Sequence, residues 1–393
     1  MLRERIVIGV GSLKISPKAK RYLGEVIRSH RISYGPFSER FEKEFAQAHH
    51  SRYAIFVNSG TSALQIALQA LKEKYDWNDG DEVLVPATTF VASVNVILHN
   101  RLTPVFVDVH PQTYNMDAGQ IERHITKRTR AIMPVHVAGL ACEMADIGQI
   151  AAAHKLRIIE DACEAAFTEH NGRRVGSFGD VGAFSTYVAH HIVTGVGGLA
   201  TTDDSDLAVR IRSLANHGRD SIYIKPEDGR DHTGRASREV IEKRFRFTSI
   251  GHSFRATEFE AALGLAQLEE AEKNIKARRE NAKRLTDGLE SLSYFLQLPT
   301  GKGHTFMFYP ILARSGKIDL VNHLEANGIE TRDLLPIVTQ PCYRKMFPNL
   351  KTDYPSAARI AAKGFYVGAH PLMGKEETDK IVRVIRHFYS GAH

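Results

Sequence analysis

The sequence predicts an α/β chain, with a mainly parallel central sheet covered by helices and a smaller α+β unit towards the C-terminus. Two observations predict this. Short apolar runs without clean alternation recur through roughly the first 270 residues and are separated by stretches with helical spacing, as expected of strands buried on both faces. Beyond about residue 290 the pattern changes to short strands and two well-separated helices.

In chain order, Val57-Asn-Ser-Gly-Thr-Ser-Ala-Leu-Gln-Ile-Ala-Leu-Gln-Ala-Leu71 reads as a turn feeding an amphipathic helix. Glu82-Val-Leu-Val-Pro86, Pro104-Val-Phe-Val-Asp108, Ala131-Ile-Met-Pro-Val-His136 and Leu156-Arg-Ile-Ile-Glu-Asp161 read as buried strands ending in loops. One long helical pattern runs from Thr257 to about Leu289 and links residues 1–270, a large domain, to residues 290–393, a small α+β domain. In the latter, short strands near Thr305–Leu312 precede a helix at Asp319–Asn327, and a last helix spans Thr378–Tyr389. Residues 218–245, rich in Gly, Asp, Arg and Lys, read as a long loop inserted ahead of the linking helix.

Composition narrows the function. A hydrophobic fraction of 43% with 25% charged residues is ordinary for a soluble globular protein. No apolar run reaches the ~18 residues needed to cross a bilayer, and charges interrupt any signal core at the N-terminus, so a cytoplasmic protein is expected. Three cysteines without a CxxC pair suggest a reducing compartment. The net charge of +7 suits anionic ligands, but the basic residues are scattered and form no stripe, so nucleic acid is not expected as a partner. Histidines are numerous, yet no HxH or HxxxH pair accompanies them and no metal site is expected.

Several residues have the chemistry to hold a phosphorylated ring. Gly60, at a strand-to-helix turn, lets the backbone approach a phosphate, and amides at a helix start attract anions. Asp161, at a strand end, can pair with a protonated pyridine nitrogen and Phe90 can stack on the ring, although singly they also read as a helix cap and a core residue. Ser185 and His190 lie five apart, so one loop can present a phosphate-binding hydroxyl and an acid/base.

Order and spacing tie these signals together. Tyr34-Gly-Pro with Phe41-Glu, Asn58-Ser-Gly-Thr, Gly80-Asp-Glu-Val, Pro134-Val-His-Val-Ala-Gly, Glu160-Asp-Ala, Gly179-Asp-Val-Gly-Ala-Phe-Ser and Gly251-His-Ser-Phe-Arg-Ala-Thr-Glu follow one another. From about Lys18 onward the chain resembles the DegT/DnrJ/EryC1/StrS sugar aminotransferase family. The resemblance implies a fold-type I, aspartate aminotransferase-like architecture and a homodimer with shared active sites. It implies pyridoxal or pyridoxamine 5'-phosphate as cofactor. Gly60, Thr61 and Ser185 would hold the phosphate, Phe90 would stack, Asp161 would meet the ring nitrogen and Glu164 would flank the ring. Ser253 stands where the family commonly has an asparagine that reaches the partner subunit's phosphate; its hydroxyl is still a donor.

The decisive departure is His190. The family reads Gly-Asp-x-x-x-Phe-Ser-x-x-x-x-Lys, and here the lysine position is histidine, with no lysine between Lys155 and Lys225. An imidazole cannot form the cofactor imine, but it moves protons near neutral pH. Ser185-x-x-x-x-His190-His191-Ile and Gly197-Gly198 are similar to the branch that dehydrates nucleotide-linked 4-keto-6-deoxyhexoses at C3, as is Gly218-Arg-Asp220 at the opening of the inserted loop. That branch implies pyridoxamine phosphate, His190 as acid/base, and glutamate as the donor that regenerates the amine. Its iron–sulfur members would require cysteines at positions held here by Ser221, Tyr223 and Asp231, so no cluster is expected. Two features depart from the branch. Val196 replaces a glutamate, and Thr331-Arg332-Asp-Leu-Leu is similar to ordinary sugar aminotransferases. Arg332 reads as a substrate contact or a surface salt bridge, and His217 as a pocket residue or a structural one. The expected activity is therefore C3 dehydration. The alternatives are an aminotransferase-like enzyme or another pyridoxamine-dependent lyase lacking the lysine, or a cofactor-binding regulator.

Overall fold

A computed structural model describes residues 8–220, 245–335 and 337–390; the inserted loop expected at 218–245 lies largely outside the described residues. The strands are β1 (Tyr53–Val57), β2 (Glu82–Pro86), β3 (Thr103–Val107), β4 (Thr129–Ile132), β5 (Arg157–Asp161), a two-residue hairpin of β6 (Glu169–His170) and β7 (Arg173–Arg174), β8 (Val181–Ser185), β9 (Gly198–Thr202), β10 (Leu296–Gln297), β11 (Phe308–Ala313), β12 (Arg332–Asp333) and β13 (Gly364–Gly368). Seven of them form one sheet in the order β1-β9-β8-β5-β4-β2-β3. Its pairs from β8 through β3 are parallel, and β9 alone runs against both of its neighbours.

Each strand feeds opposite faces with alternate side chains. In β1, Ile55 and Val57 join the core built around the helix Gly60–Lys74, while Ala54 and Phe56 join the core of Phe41, Phe45 and the helix Glu258–Leu268. In β2, Val83 and Val85 face the first of these cores, and Leu84 faces a third around the helix Met144–His154. Both faces are therefore apolar, which is why the strands show no polar alternation in sequence.

The expected single helix over Thr257–Leu289 is two helices, Glu258–Leu268 and Ala271–Leu289. The break falls on Glu269 and Glu270, and Glu270 has left the helical range at φ -103°, ψ 4°. Two adjacent carboxylates oppose the negative end of the first helix. Glu269 is also drawn sideways, taking bonds from Lys18, from the Tyr22 hydroxyl at 2.9 Å and from Arg40 at 3.0 Å.

The C-terminal sheet is antiparallel, ordered β10-β11-β13-β12. It packs with the helices Ala271–Leu289, Lys317–Ala326 and Lys375–Ser390 around Leu285, Ile311, Leu320, Phe365 and Ile381. Among the described residues no helix is long and apolar enough to cross a membrane.

Candidate active site

The site begins where β1 turns into the helix Gly60–Lys74. Ser59 caps that helix, its hydroxyl accepting from the Ser62 amide at 3.0 Å. The amides of Gly60 and Thr61 lie ahead of the intrahelical ladder, so they are the donors a helix start offers to an anion. Thr61 is exposed and Gly60 buried. Gly60 is needed for space, because a Cβ there would come 2.7 Å from Ser185 Cβ and 2.9 Å from Cys163 Sγ. Ser185 ends β8, opposite Gly198 in β9, and Gly198 is in turn opposite Val57 in β1. Sheet register thus brings Gly60, Ser185 and Gly198 together although they are far apart in sequence. A Cβ on Gly198 would fall 2.4 Å from the Gly60 nitrogen.

Asp161 ends the adjacent β5 and is buried. Its carboxylate accepts from the Ser93 hydroxyl at 2.7 Å and from the Cys163 amide at 3.2 Å, one bond on each oxygen. The aim of the group is therefore fixed while lone pairs remain for a protonated ring nitrogen. Ser93 is a positioning residue that sequence reading missed; its only signal is its place one turn into the helix that follows Phe90. Phe90 caps the start of that helix and is 59% exposed, a large apolar ring with one face open. Glu164 is buried and accepts from the Ala138 amide at 2.8 Å. Burial pushes its carboxyl up to about 8, which favours the protonated acid near neutral pH.

His190 sits on the turn between β8 and β9. Its amide donates to the Tyr187 carbonyl at 2.9 Å, and its ring Nδ1 lies 3.3 Å from the same oxygen. Nδ1–H donating to that carbonyl leaves Nε2 with the free lone pair. Burial holds the imidazole down to about 4, and Arg278 adds to the lowering. The neighbouring His191 is fully buried with neither ring nitrogen bonded, and burial holds it well below the ordinary histidine range.

The remaining candidates are more peripheral. Ser253 is exposed, and its hydroxyl accepts from Arg255 at 3.0 Å. His217 is exposed with φ 66°, and its amide bonds the His252 carbonyl at 2.8 Å, which ties it to the Ser253 segment. That segment meets the strand-to-helix turn where the Asn58 amide donates to the Phe254 carbonyl at 2.8 Å. Arg332, in β12, is exposed and pairs with Glu330. None of these three forms a direct hydrogen bond with His190, Asp161 or Ser185 among the described residues.

The donor set fits a phosphorylated pyridine. The helix start at Gly60 lies against Ser185 and Cys163, and Cys163 and Ser93, which opens the helix after Phe90, both bond the Asp161 carboxylate. No group of three or more His, Cys, Asp or Glu side chains among the described residues is placed to hold a metal ion.

The profile of the DegT/DnrJ/EryC1/StrS aminotransferase family matches residues 14–386. GDP-perosamine synthase of Escherichia coli O157:H7 is 34% identical over 380 residues, covering 96% of this chain and 97% of the relative. GDP-4-keto-6-deoxy-D-mannose 3-dehydratase of Yersinia pseudotuberculosis is 30% identical over 374 residues, covering 92% and 93%. The structure of the E. coli GDP-4-keto-6-deoxy-D-mannose-3-dehydratase with bound hydrated PLP superposes with a TM-score of 0.86 at 25% identity, over 97% of this chain and 100% of that one.

Proposed function

The chain belongs to the DegT/DnrJ/EryC1/StrS aminotransferase family, and on that premise we propose that it removes the C3 hydroxyl of a nucleotide-linked 4-keto-6-deoxy sugar. The observation that carries the reading is His190. An imidazole with its Nε2 lone pair free occupies the turn where the family motif has lysine. Bound pyridoxamine phosphate supplies the amine that condenses with the C4 ketone and a ring that accepts electrons.

The chain's own residues supply the rest. The amides of Gly60 and Thr61 and the Ser185 hydroxyl hold the phosphate, and Asp161 keeps a proton on the ring nitrogen. Ser93 and the Cys163 amide keep the Asp161 carboxylate aimed. Phe90 covers one face of the ring. Glu164, its protonated form favoured near neutral pH, offers a hydrogen-bond donor beside it. His190 Nε2 would take the proton from the cofactor's C4′ carbon and hand it to the C3 hydroxyl, which would leave as water; a neutral imidazole in this position has no amine with which to recapture the cofactor. Glutamate restores the amine. Ser253, His217 and Arg332 are the outer contacts, to the partner subunit's phosphate or to the nucleotide sugar. A homodimer in the cytoplasm completes the reading: Phe90, Tyr187 and Val196 are 59%, 54% and 53% exposed, and a second copy would cover them.

Amino transfer is the second reading. Similarity to GDP-perosamine synthase favours it, as do Val196 and the Thr331-Arg332-Asp333 motif. Product analysis separates the two. Incubation with pyridoxamine phosphate, glutamate and a nucleotide-linked 4-keto-6-deoxyhexose is expected to give a 3-deoxy sugar, ammonia and 2-oxoglutarate. A 4-amino sugar with the C3 oxygen retained replaces the first reading with the second.

A further inference from the structure

We infer that Arg278 is a positioning residue for His190: its guanidinium clamps the turn that carries the imidazole and sets a fixed positive charge beside it. The inference rests on the reading of His190 as the proton-transfer group. Arg278 lies in the helix Ala271–Leu289 and is 2% exposed. It sits on the helix's inward seam, with Ala271, Ile275, Ala282, Leu285 and Leu289. A charged side chain in such a seam costs stability unless it is paired.

Its bonds go to backbone carbonyls. Nη1 donates to Met307 at 2.8 Å and Phe306 at 3.2 Å, and Nη2 donates to His190 at 3.0 Å. Nε finds no partner, and among the described residues no carboxylate pairs with the guanidinium. One side chain thereby fastens the His190 peptide to the segment entering β11, and its planar fork spans both in a way an ammonium cannot. The charge itself stays uncompensated.

Burial is the largest influence on the imidazole; the Tyr187 carbonyl favours its charged form, and Arg278 adds to the lowering that burial begins. Tyr187 presents its ring at a centroid distance of 6.5 Å, and His191 precedes Ile192 on the same turn. His191 and His370 feel the arginine and His304 lies beside Arg279; all three are buried and held towards the neutral form by burial, His304 at about 3 and His370 at about 4. Arg278 contributes to the lowering at His190, His191 and His370. A cation that no carboxylate neutralises disfavours the imidazolium and so keeps Nε2 available as a base. The bond to the His190 carbonyl holds the peptide in place, and on that peptide the contact of Nδ1 with the Tyr187 carbonyl orients the ring.

The test uses cofactor-loaded protein with isotope-labelled histidine, the His190 signal being assigned by its loss in His190→Asn. Arg278→Gln is expected to raise the His190 titration midpoint by a few tenths to about one pH unit, and to move the acidic limb of the kcat profile with it. Arg278→Lys keeps the charge but not the fork, so the midpoint stays low while kcat falls roughly tenfold at unchanged KM. An unmoved midpoint in Arg278→Gln overturns the inference, as does wild-type kcat in Arg278→Lys. If the glutamine variant does not fold, the lysine variant decides alone. Failure of the dehydratase reading shows separately, as a 4-amino product from the unaltered enzyme, and leaves the titration result intact.

Discussion

The turn at Gly60 and the turn at His190 are neighbours in the site but are built differently. The first is made of backbone: a capped helix start, two amides and a glycine pressed against Ser185 by sheet register. The second is a side chain on a loop, held by its own carbonyl contact to Tyr187 and by an arginine from a helix nearly ninety residues further on. Backbone geometry is redundant, since many ladder bonds support it at once. A loop side chain depends on a few contacts. On the proposed function, binding would rest on the rigid region and proton transfer on the tethered one.

Substitutions can break that contrast in descending order of effect. His190→Asn removes the only group in the tethered region that moves a proton, and turnover is expected to fall about 10²–10⁴-fold. Cofactor absorbance should survive, because the backbone cradle is intact; loss of cofactor along with activity would mean that the two regions are not separable. Gly60→Ala attacks the other side. Its methyl group would have to displace Ser185 and Cys163, so cofactor affinity is expected to drop about tenfold or more, at a cost of roughly 1–3 kcal/mol. Turnover at saturating cofactor should change much less, as steady-state titration with added pyridoxamine phosphate would reveal.

Glu164→Gln sharpens the comparison with the smallest effect. The folded carboxyl titrates at about 8 against 4.5 for an ordinary glutamate, so the folded state binds the extra proton between those values. Stability without cofactor therefore declines as pH rises from about 5 to 8. The glutamine variant, neutral throughout, is expected to show a flatter dependence by thermal unfolding. A slope equal to that of the unaltered protein would place the ionised carboxylate in the fold.

How much of this was legible in sequence follows the same division. The strand ends at Pro86 and Asp161 and the helix opening at Gly60 were readable from apolar runs and a glycine turn, because local pattern encodes them. The break at Glu269–Glu270 was not, since helical spacing continues across it and the pull comes from Lys18, Tyr22 and Arg40. Ser93 was invisible for the same reason: its worth lies in a bond to a residue 68 positions away. Arg278 left a trace, the one charged residue in a buried seam that is apolar apart from it and Asn281. That trace says the position is special without saying which loop it grips. The family motifs supplied roles for Gly60, Thr61, Phe90, Asp161, Glu164 and Ser185 that single residues do not carry.

Strand β9 has a consequence for how the molecule comes into being. The first strand, Tyr53–Val57, hydrogen-bonds within the sheet to β9 alone, almost a hundred and fifty residues later. During synthesis it must wait, edge bare, until Thr202 has left the ribosome, and such distant pairings close slowly. Because Gly198 is also the residue that brings Ser185 up to Gly60, the nascent chain acquires its anion cradle only at that closure. A chain stalled before residue 198 would present an unpaired strand to chaperones and no place for a phosphate.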